Sequence, residues 1–444
     1  MTKQQLLSKQ VALITMGCDK NTVDAEKIMY LLSSYGFKFT NDIEKAHMAI
    51  INTCAFIESS KQESIDKILE TAQLKNNHLE KLIVTGCLSQ RYYDDVNNMP
   101  EVDACVRLKN NDKIIDVICG LYGVENNYSL KLKQPKRVLS TPKHYAFLKI
   151  ADGCNNFCSY CSIPFIRGRY KSVAPADIIE EAKALVKQGV KELILVAQDV
   201  TNYGTDLFGS PQLVPLLKEL SKIKKLEWIR LHYCYPHLIT DELLAEIDLN
   251  PKICKYLDIP LQHISNNILK SMNRKETAED VKTLLNKIKN LNNQVSIRST
   301  FIVGYPGESR KDFNELLNFL KEYKLDNVGF FAYSREQNTK AYKLPHQILH
   351  RTKQKRLNTA QKLQNEILLQ NQQQKIGQTV KAICDDIICD ENGLTYVMRT
   401  EYNSVDVDTL CFVKSQQQLT IGEFYNVKIT DCLDIDLIGE IIGG

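Results

Sequence analysis

The sequence predicts an α/β chain in three parts: an N-terminal doubly wound parallel sheet, a central partial (β/α) barrel and a small C-terminal antiparallel β-barrel. Three observations carry this. Apolar runs of strand length alternate with helix-like stretches through the first two parts, as in parallel sheets joined by helical crossovers. At 444 residues the chain exceeds one ordinary core and implies two or three domains. Beyond residue 375 the strands become short and are punctuated by Gly and Asn, as in a small barrel.

In chain order, residues 1–125 open with the runs VALITMGC, MAIINTC and KLIVTGC, which read as buried strands ending at Cys18, Cys54 and Cys87. Helices are expected between them, from Asp24 to Tyr35 closed by Gly36, and from Ser59 to Leu74. Ligands bind outside the carboxyl ends of the strands in such sheets. All three cysteines fall there, so thiols distant in sequence are expected to meet. Residues 126–142 are polar and basic, contain two prolines and read as a linker. In residues 143–374 the candidate strands are AFLKIADG, ELILVAQD, EWIRLHYC, KYLDIPLQ, VSIRSTFIVG and NVGFFAYS, with helices such as Pro175 to Lys187 and Ser309 to Tyr323. These repeats are too few for the eight-unit barrel. A Gln-rich helix, about His350 to Lys375, leads into the last part, 375–444, with strands TVKAICDD, LTYVMRT, EFYNVKITDC and LIGEII.

Hydrophobic content of 43% and charged content of 25% are those of a soluble globular protein. The polar opening MTKQQLLSKQ lacks the features of a signal peptide, and no apolar run is long enough to span a bilayer. The expectation is a cytoplasmic protein with no membrane partner. There, 14 cysteines point to metal ligation rather than disulfides. Charge is uneven: residues 375–444 carry 5 Lys/Arg and 12 Asp/Glu, and the remainder 52 and 41.

The strongest local signal is Gly153-Cys154-Asn155-Asn156-Phe157-Cys158-Ser159-Tyr160-Cys161, a C-x3-C-x2-C triplet after the first strand of the central part. Four thiolates saturate a 4Fe-4S cube, so three leave one iron open. An open iron suits chelation of the amino and carboxylate groups of S-adenosylmethionine, whose reductive cleavage gives a radical able to attack an unactivated carbon. Zinc sites favour paired C-x2-C units and a fourth His or Cys, and buried structural thiols are the blander reading. Taken alone, Cys18, Cys54 and Cys87 read equally well as small buried residues after strands.

The triplet, with Tyr160 before its last cysteine, resembles that of the radical S-adenosylmethionine superfamily. The segments MGCDKNTVDAE, INTCAFIESSKQESID and VTGCLSQR resemble the N-terminal domain of methylthiotransferases, and the C-terminal part is similar to a TRAM domain. The resemblance implies two 4Fe-4S clusters, one on Cys154, Cys158 and Cys161 and an auxiliary one on Cys18, Cys54 and Cys87. It implies S-adenosylmethionine as radical source and methyl donor, and an electron donor that the sequence does not identify. It places the S-adenosylmethionine pocket at Gln198, Asp199, Arg298, Ser299 and Gly304, although tight strand-to-helix turns explain the Gly and Pro of Ile302 to Glu308 almost as well, and Arg298 and His263 also suit satisfied core groups. The family usually has Gly before Thr339, where this chain has Asn338, a residue that tolerates left-handed backbone. The other cysteines, Cys105, Cys119, Cys234, Cys254, Cys384, Cys389, Cys411 and Cys432, match no ligand spacing and read as packing residues.

Family members act on a modified adenosine beside the tRNA anticodon or on an aspartate of small-subunit ribosomal protein twelve. Lys20-Asn21-Thr22-Val23-Asp24, Phe56-Ile57-Glu58, Ser162-Ile163-Pro164-Phe165-Ile166-Arg167-Gly168, Gln198 to Gly204 and Ser334-Arg335-Glu336 resemble the ribosomal-protein branch. The acidic last segment suits a basic ribosomal protein, free or in the ribosome, better than tRNA phosphates. The sequence thus favours methylthiolation of an aspartate β-carbon over a tRNA methylthiotransferase, and both over a non-catalytic iron-sulfur or zinc scaffold that binds ribosomes.

Overall fold

The computed structural model describes residues 1–126, 137–390 and 393–442, so most of the expected linker, residues 127–136, lies outside them. The chain divides into two compact units, the first formed by residues 1–140, 152–181 and 334–339, the second by 141–151, 182–333 and 340–444. The loop of the cysteine triplet therefore belongs with the N-terminal sheet, and the C-terminal barrel with the central one.

Among the described residues, the first unit holds a parallel sheet of β1 (Gln10–Thr15), β2 (Lys38–Phe39), β3 (Met48–Thr53), β4 (Lys81–Gly86) and β5 (Ala104–Cys105), in the order β2-β1-β3-β4-β5. Every residue of β3 is buried, because helices cover both faces of the sheet, and its first four residues, Met48 to Ile51, are accordingly a continuous apolar run. The helix after β1 runs Asp19–Tyr35 and stops at Gly36, whose φ of 113° lets its N–H reach back to Leu32 and Ser33. It starts five residues before the expected Asp24. Its first turns bury the polar Lys20, Asn21, Asp24 and Glu26 alongside Val23 and Ala25, so no clear apolar period announces it. Glu26 accepts from the Ser140 backbone and hydroxyl, at 2.8 and 3.0 Å, and pairs with buried Arg137, which also meets Glu181.

In the second unit, β6 (Tyr145–Lys149) begins the central sheet; the short β7 (Ala151–Asp152), where the chain passes into the first unit, and β8 (Lys171–Ser172), within the first unit, bound the cysteine loop in sequence. The sheet continues through β9 (Glu192–Val196), β10 (Trp228–Leu231), β11 (Ile253–Asp258), β12 (Ser296–Val303) and β13 (Asn327–Ala332). All its neighbours are parallel, in the order β13-β12-β11-β10-β9-β6. Because spatial order follows chain order, crossovers of one hand put the helices on one face and curl the sheet into an open barrel. The long helix His350–Gln373 carries buried Gln364 and Gln372, whose amides donate to the Leu325 and Ile435 carbonyls at 3.0 and 2.8 Å.

The last part closes into a barrel of β14 (Thr379–Asp390), β15 (Gly393–Thr400), β16 (Cys411–Lys414), β17 (Phe424–Leu433) and β18 (Asp436–Ile441). The sequence predicts an antiparallel barrel, and one pair departs from it: β16 and β18 are parallel. The β17–β18 hairpin sends β18 back between β17 and β16, and closure then forces that pairing. Trp228 meets Phe424 edge to face at 4.7 Å and shares a core with Tyr256 and Ile383, seating the small barrel on β10 and β11.

Candidate functional site

Strands β1, β3 and β4 are neighbours, and Cys18, Cys54 and Cys87 each lie one to three residues beyond one of them, so the expected convergence at the carboxyl edge is present. The strand order reverses between β1 and β3, the switch point where open α/β sheets leave a crevice. Close backbone packing shapes this edge. At Gly86, φ is 97° and an added Cβ would lie 2.4 Å from the Thr53 carbonyl oxygen; at Gly17, φ is 94° and it would lie 2.8 Å from Cys54 Cβ. The Ser64 hydroxyl holds Cys54 in place, accepting from its N–H at 3.1 Å and donating to its carbonyl at 2.8 Å. Burial pushes the Cys54 thiol up and that of Cys87 to about 12, the nearby Arg167 charge opposing the latter. Among the described residues, no three His, Cys, Asp or Glu gather as closely as one metal ion requires. A cube binds each thiolate to a different iron and spreads them wider. The three free thiols, at one edge and partly or wholly shielded from water, suit such a cube.

The triplet loop belongs to the same unit. Cys154 N–H donates to the Gly168 carbonyl at 3.1 Å, Cys161 N–H to the Cys158 carbonyl at 3.0 Å, and Asn156 N–H to Cys154 Sγ at 3.4 Å. Phe157 adopts a left-handed φ of 50° under the Arg169 guanidinium, 4.5 Å from its ring centre. All three cysteines are half-exposed, an arrangement that fits a cluster with one iron open to a ligand. The segment Ser334–Thr339 also packs here: Arg91 pairs with Glu336 at 2.9 Å and donates to the Ala55 carbonyl at 2.9 Å, and Glu58 N–H meets the Ser334 hydroxyl at 3.4 Å. Asn338 takes a φ of 67°, the left-handed conformation expected where the family has Gly.

One residue escaped assignment. The Arg167 side chain is 1% exposed and reaches Asp24 at 3.0 Å, Asp152 at 3.1 Å, Asn21 at 2.7 Å and Cys87 Sγ at 3.9 Å. In sequence it is one basic residue in a loop, and its partners are scattered from residue 21 to 152.

The five pocket residues lie in the second unit. Gln198, just after β9, has both amide atoms buried without a protein partner, which suits a polar ligand. Asp199 beside it accepts from the Thr201 hydroxyl at 2.6 Å and the Asn202 N–H at 3.2 Å, shaping the turn. Arg298 pairs with Asp258 at 3.2 Å and Asp408 at 3.3 Å, and the Ser299 hydroxyl donates to the Ile259 carbonyl at 2.8 Å. At Gly304, φ is 73° and an added Cβ would lie 2.5 Å from Lys353 Cγ, so the glycine admits the long helix. The acidic barrel also spends charge internally. Asp385 is held by Arg399 at 2.9 Å and His144 at 2.8 Å, Asp408 accepts from Tyr256 at 2.7 Å, and Glu423 pairs with Lys191 at 2.6 Å. Less of the negative charge faces outward than the sequence suggests. No helix among the described residues is long and apolar enough to cross a membrane.

Family models match residues 10–107 (Uncharacterized protein family UPF0004), 148–320 (Radical SAM superfamily) and 376–442 (TRAM domain). Among solved structures, the radical S-adenosylmethionine methyltransferase TsrM from Kitasatospora setae, with cobalamin and a 4Fe-4S cluster bound, superposes with a TM-score of 0.56 at 13% identity, over 75% of this chain and 77% of that one, a likeness of fold. Proteins named ribosomal protein uS12 methylthiotransferase RimO are far more similar. That of Acetivibrio thermocellus is 44% identical over 98% of this chain and 99% of its own, and that of Clostridioides difficile 43% over 98% and 99%. With identity of that order along nearly its whole length, the chain belongs to the ribosomal protein uS12 methylthiotransferase family of radical S-adenosylmethionine enzymes.

Proposed function

We propose that this protein methylthiolates the β-carbon of an aspartate in small-subunit ribosomal protein uS12, with Cys154, Cys158 and Cys161 holding one 4Fe-4S cluster and Cys18, Cys54 and Cys87 the other. The observation that carries this reading is the strand order, which brings three cysteines spread over seventy residues to adjacent strand ends in the unit that also holds the triplet. The clusters and S-adenosylmethionine, when bound, supply the electron, the radical and the methylthio group that side chains do not. The protein's part is to hold and orient. Gln198 offers two buried, unpaired amide atoms to S-adenosylmethionine, Asp199 fixes the turn that presents them, and Arg298, Ser299 and Gly304 set the neighbouring backbone.

Anaerobic incubation with uS12 and, separately, with anticodon-modified tRNA tests the substrate. The expected outcome is the mass gain of one methylthio group on a uS12 aspartate, and a modified nucleoside beside unchanged uS12 would reverse the assignment. Reconstituted protein is expected to hold about eight irons per chain, and about four after Cys18, Cys54 and Cys87 are replaced by Ala. Saturation of the unaltered chain at four would sink the two-cluster arrangement. Gln198→Leu keeps the volume and removes the hydrogen bonds, so S-adenosylmethionine is expected to bind roughly tenfold more weakly. Equilibrium dialysis checks this, and unchanged affinity would remove Gln198 from the pocket.

A further inference from the structure

We infer that Arg167 is a positioning residue for the thiol trio Cys18, Cys54 and Cys87, directing a guanidinium N–H at the Cys87 sulfur and thereby raising the reduction potential of the cluster held there. The inference rests on the proposed ligand assignment.

The geometry of the fork is its basis. Nη1 lies 3.0 Å from Asp24 and 3.1 Å from Asp152, and Nη2 donates to Asn21 at 2.7 Å and approaches Cys87 Sγ at 3.9 Å. Asn21 is itself fixed, its amide donating to the Met16 carbonyl at 2.8 Å and the Thr53 carbonyl at 3.1 Å. A planar guanidinium with donors in a rigid fork satisfies such scattered partners at once, whereas a lysine ammonium is a single point charge on a flexible stem. Two carboxylates balance the buried cation, so the charge persists where a lone one is costly. Reduction adds one electron, and hence one negative charge, to a cluster. A fixed N–H and a positive charge beside a ligating sulfur stabilise that charge, and hydrogen bonds to sulfurs are among the levers that set cluster potentials. A purely structural arginine would tie the helix Asp19–Tyr35 to the triplet loop and leave the potential unchanged.

The test uses a full-length parent carrying Cys154→Ala, Cys158→Ala and Cys161→Ala, in which only the trio remains. The parent is expected to bind about four irons. Redox titration followed by electron paramagnetic resonance is then expected to give a more negative midpoint potential for Arg167→Gln, and an intermediate one for Arg167→Lys. The second measurement leaves residue 167 unaltered: in the parent labelled with 15N-arginine, pulsed resonance of the reduced cluster is expected to show coupling to an arginine nitrogen, which decides the matter where the variants do not fold. A four-iron Arg167→Gln protein with the parent's potential, or a labelled parent without arginine coupling, overturns the inference alone. A parent that binds no iron overturns the ligand assignment and the inference with it.

Discussion

Gly153→Ala is expected to lower iron content from about eight to about four per chain and to abolish reductive cleavage of S-adenosylmethionine, while Gly168→Ala retains both. Both glycines have left-handed backbone, with φ of 74° and 81°, so each substitution carries a strain of order 1–2 kcal/mol. Their surroundings separate them. An added Cβ at Gly153 would lie 2.2 Å from the Arg169 carbonyl oxygen and 2.7 Å from that of Gly168, whereas at Gly168 nothing lies within 4 Å. The Gly153 clash is with backbone and has no rotamer to relieve it. Relief means parting residues 153–154 from 168–169, which breaks the 3.1 Å bond from Cys154 N–H to the Gly168 carbonyl and moves the first thiol of the triplet. Iron analysis and the yield of 5′-deoxyadenosine check both variants. Full iron in Gly153→Ala would mean that the loop has slack the packing does not suggest.

Arg399→Met is expected to cost about 3–5 kcal/mol of stability in the second unit, seen as a lower midpoint in urea unfolding. Glu192 is wholly buried between Arg230 at 2.7 Å and Arg399 at 2.6 Å, and Arg399 continues to Asp385 at 2.9 Å. Burial alone would push the Glu192 carboxyl up, but the Arg399 and Arg230 charges outweigh it and hold the group at about 2. Removing Arg399 strands part of that charge. Glu192→Leu is expected to be the worse change, because it leaves two buried guanidiniums facing each other without the carboxylate between them. The pH dependence follows from the same shift. The folded value lies below the ordinary 4.5, so the stabilisation is complete above about 4.5 and disappears as pH falls through about 2. Between those values the unaltered protein is expected to lose urea resistance more steeply than Glu192→Leu; parallel pH profiles would deny Glu192 this role.

The placement of the cysteines was legible because the triplet has a fixed local spacing and because strand-end thiols follow from apolar runs of the right length. The C-x3-C-x2-C loop and the ends of β1, β3 and β4 needed no tertiary information beyond the rule that parallel sheets gather function at their carboxyl edge. Helices with apolar faces were legible for the same reason, and the helix starting at Asp19 was misplaced because its first turns bury polar side chains that only distant partners satisfy. Arg167 is the clearest case. Its role depends on Asn21, Asp24, Cys87 and Asp152 lying around one buried cation, and no local pattern encodes that meeting. The acidic C-terminal segment shows the converse: counted along the chain it is a negative surface, yet Asp385 and Asp408 turn inward onto arginines. By itself the sequence determined the three-part α/β architecture and marked the two groups of cysteines proposed as ligands, since periodicity and residue spacing are local properties. Tertiary structure decided which charges are buried, that the Gln198 amide is buried without a protein partner and that Arg167 gathers Asn21, Asp24, Cys87 and Asp152, because desolvation and charge pairing depend on neighbours that the chain brings together only when folded.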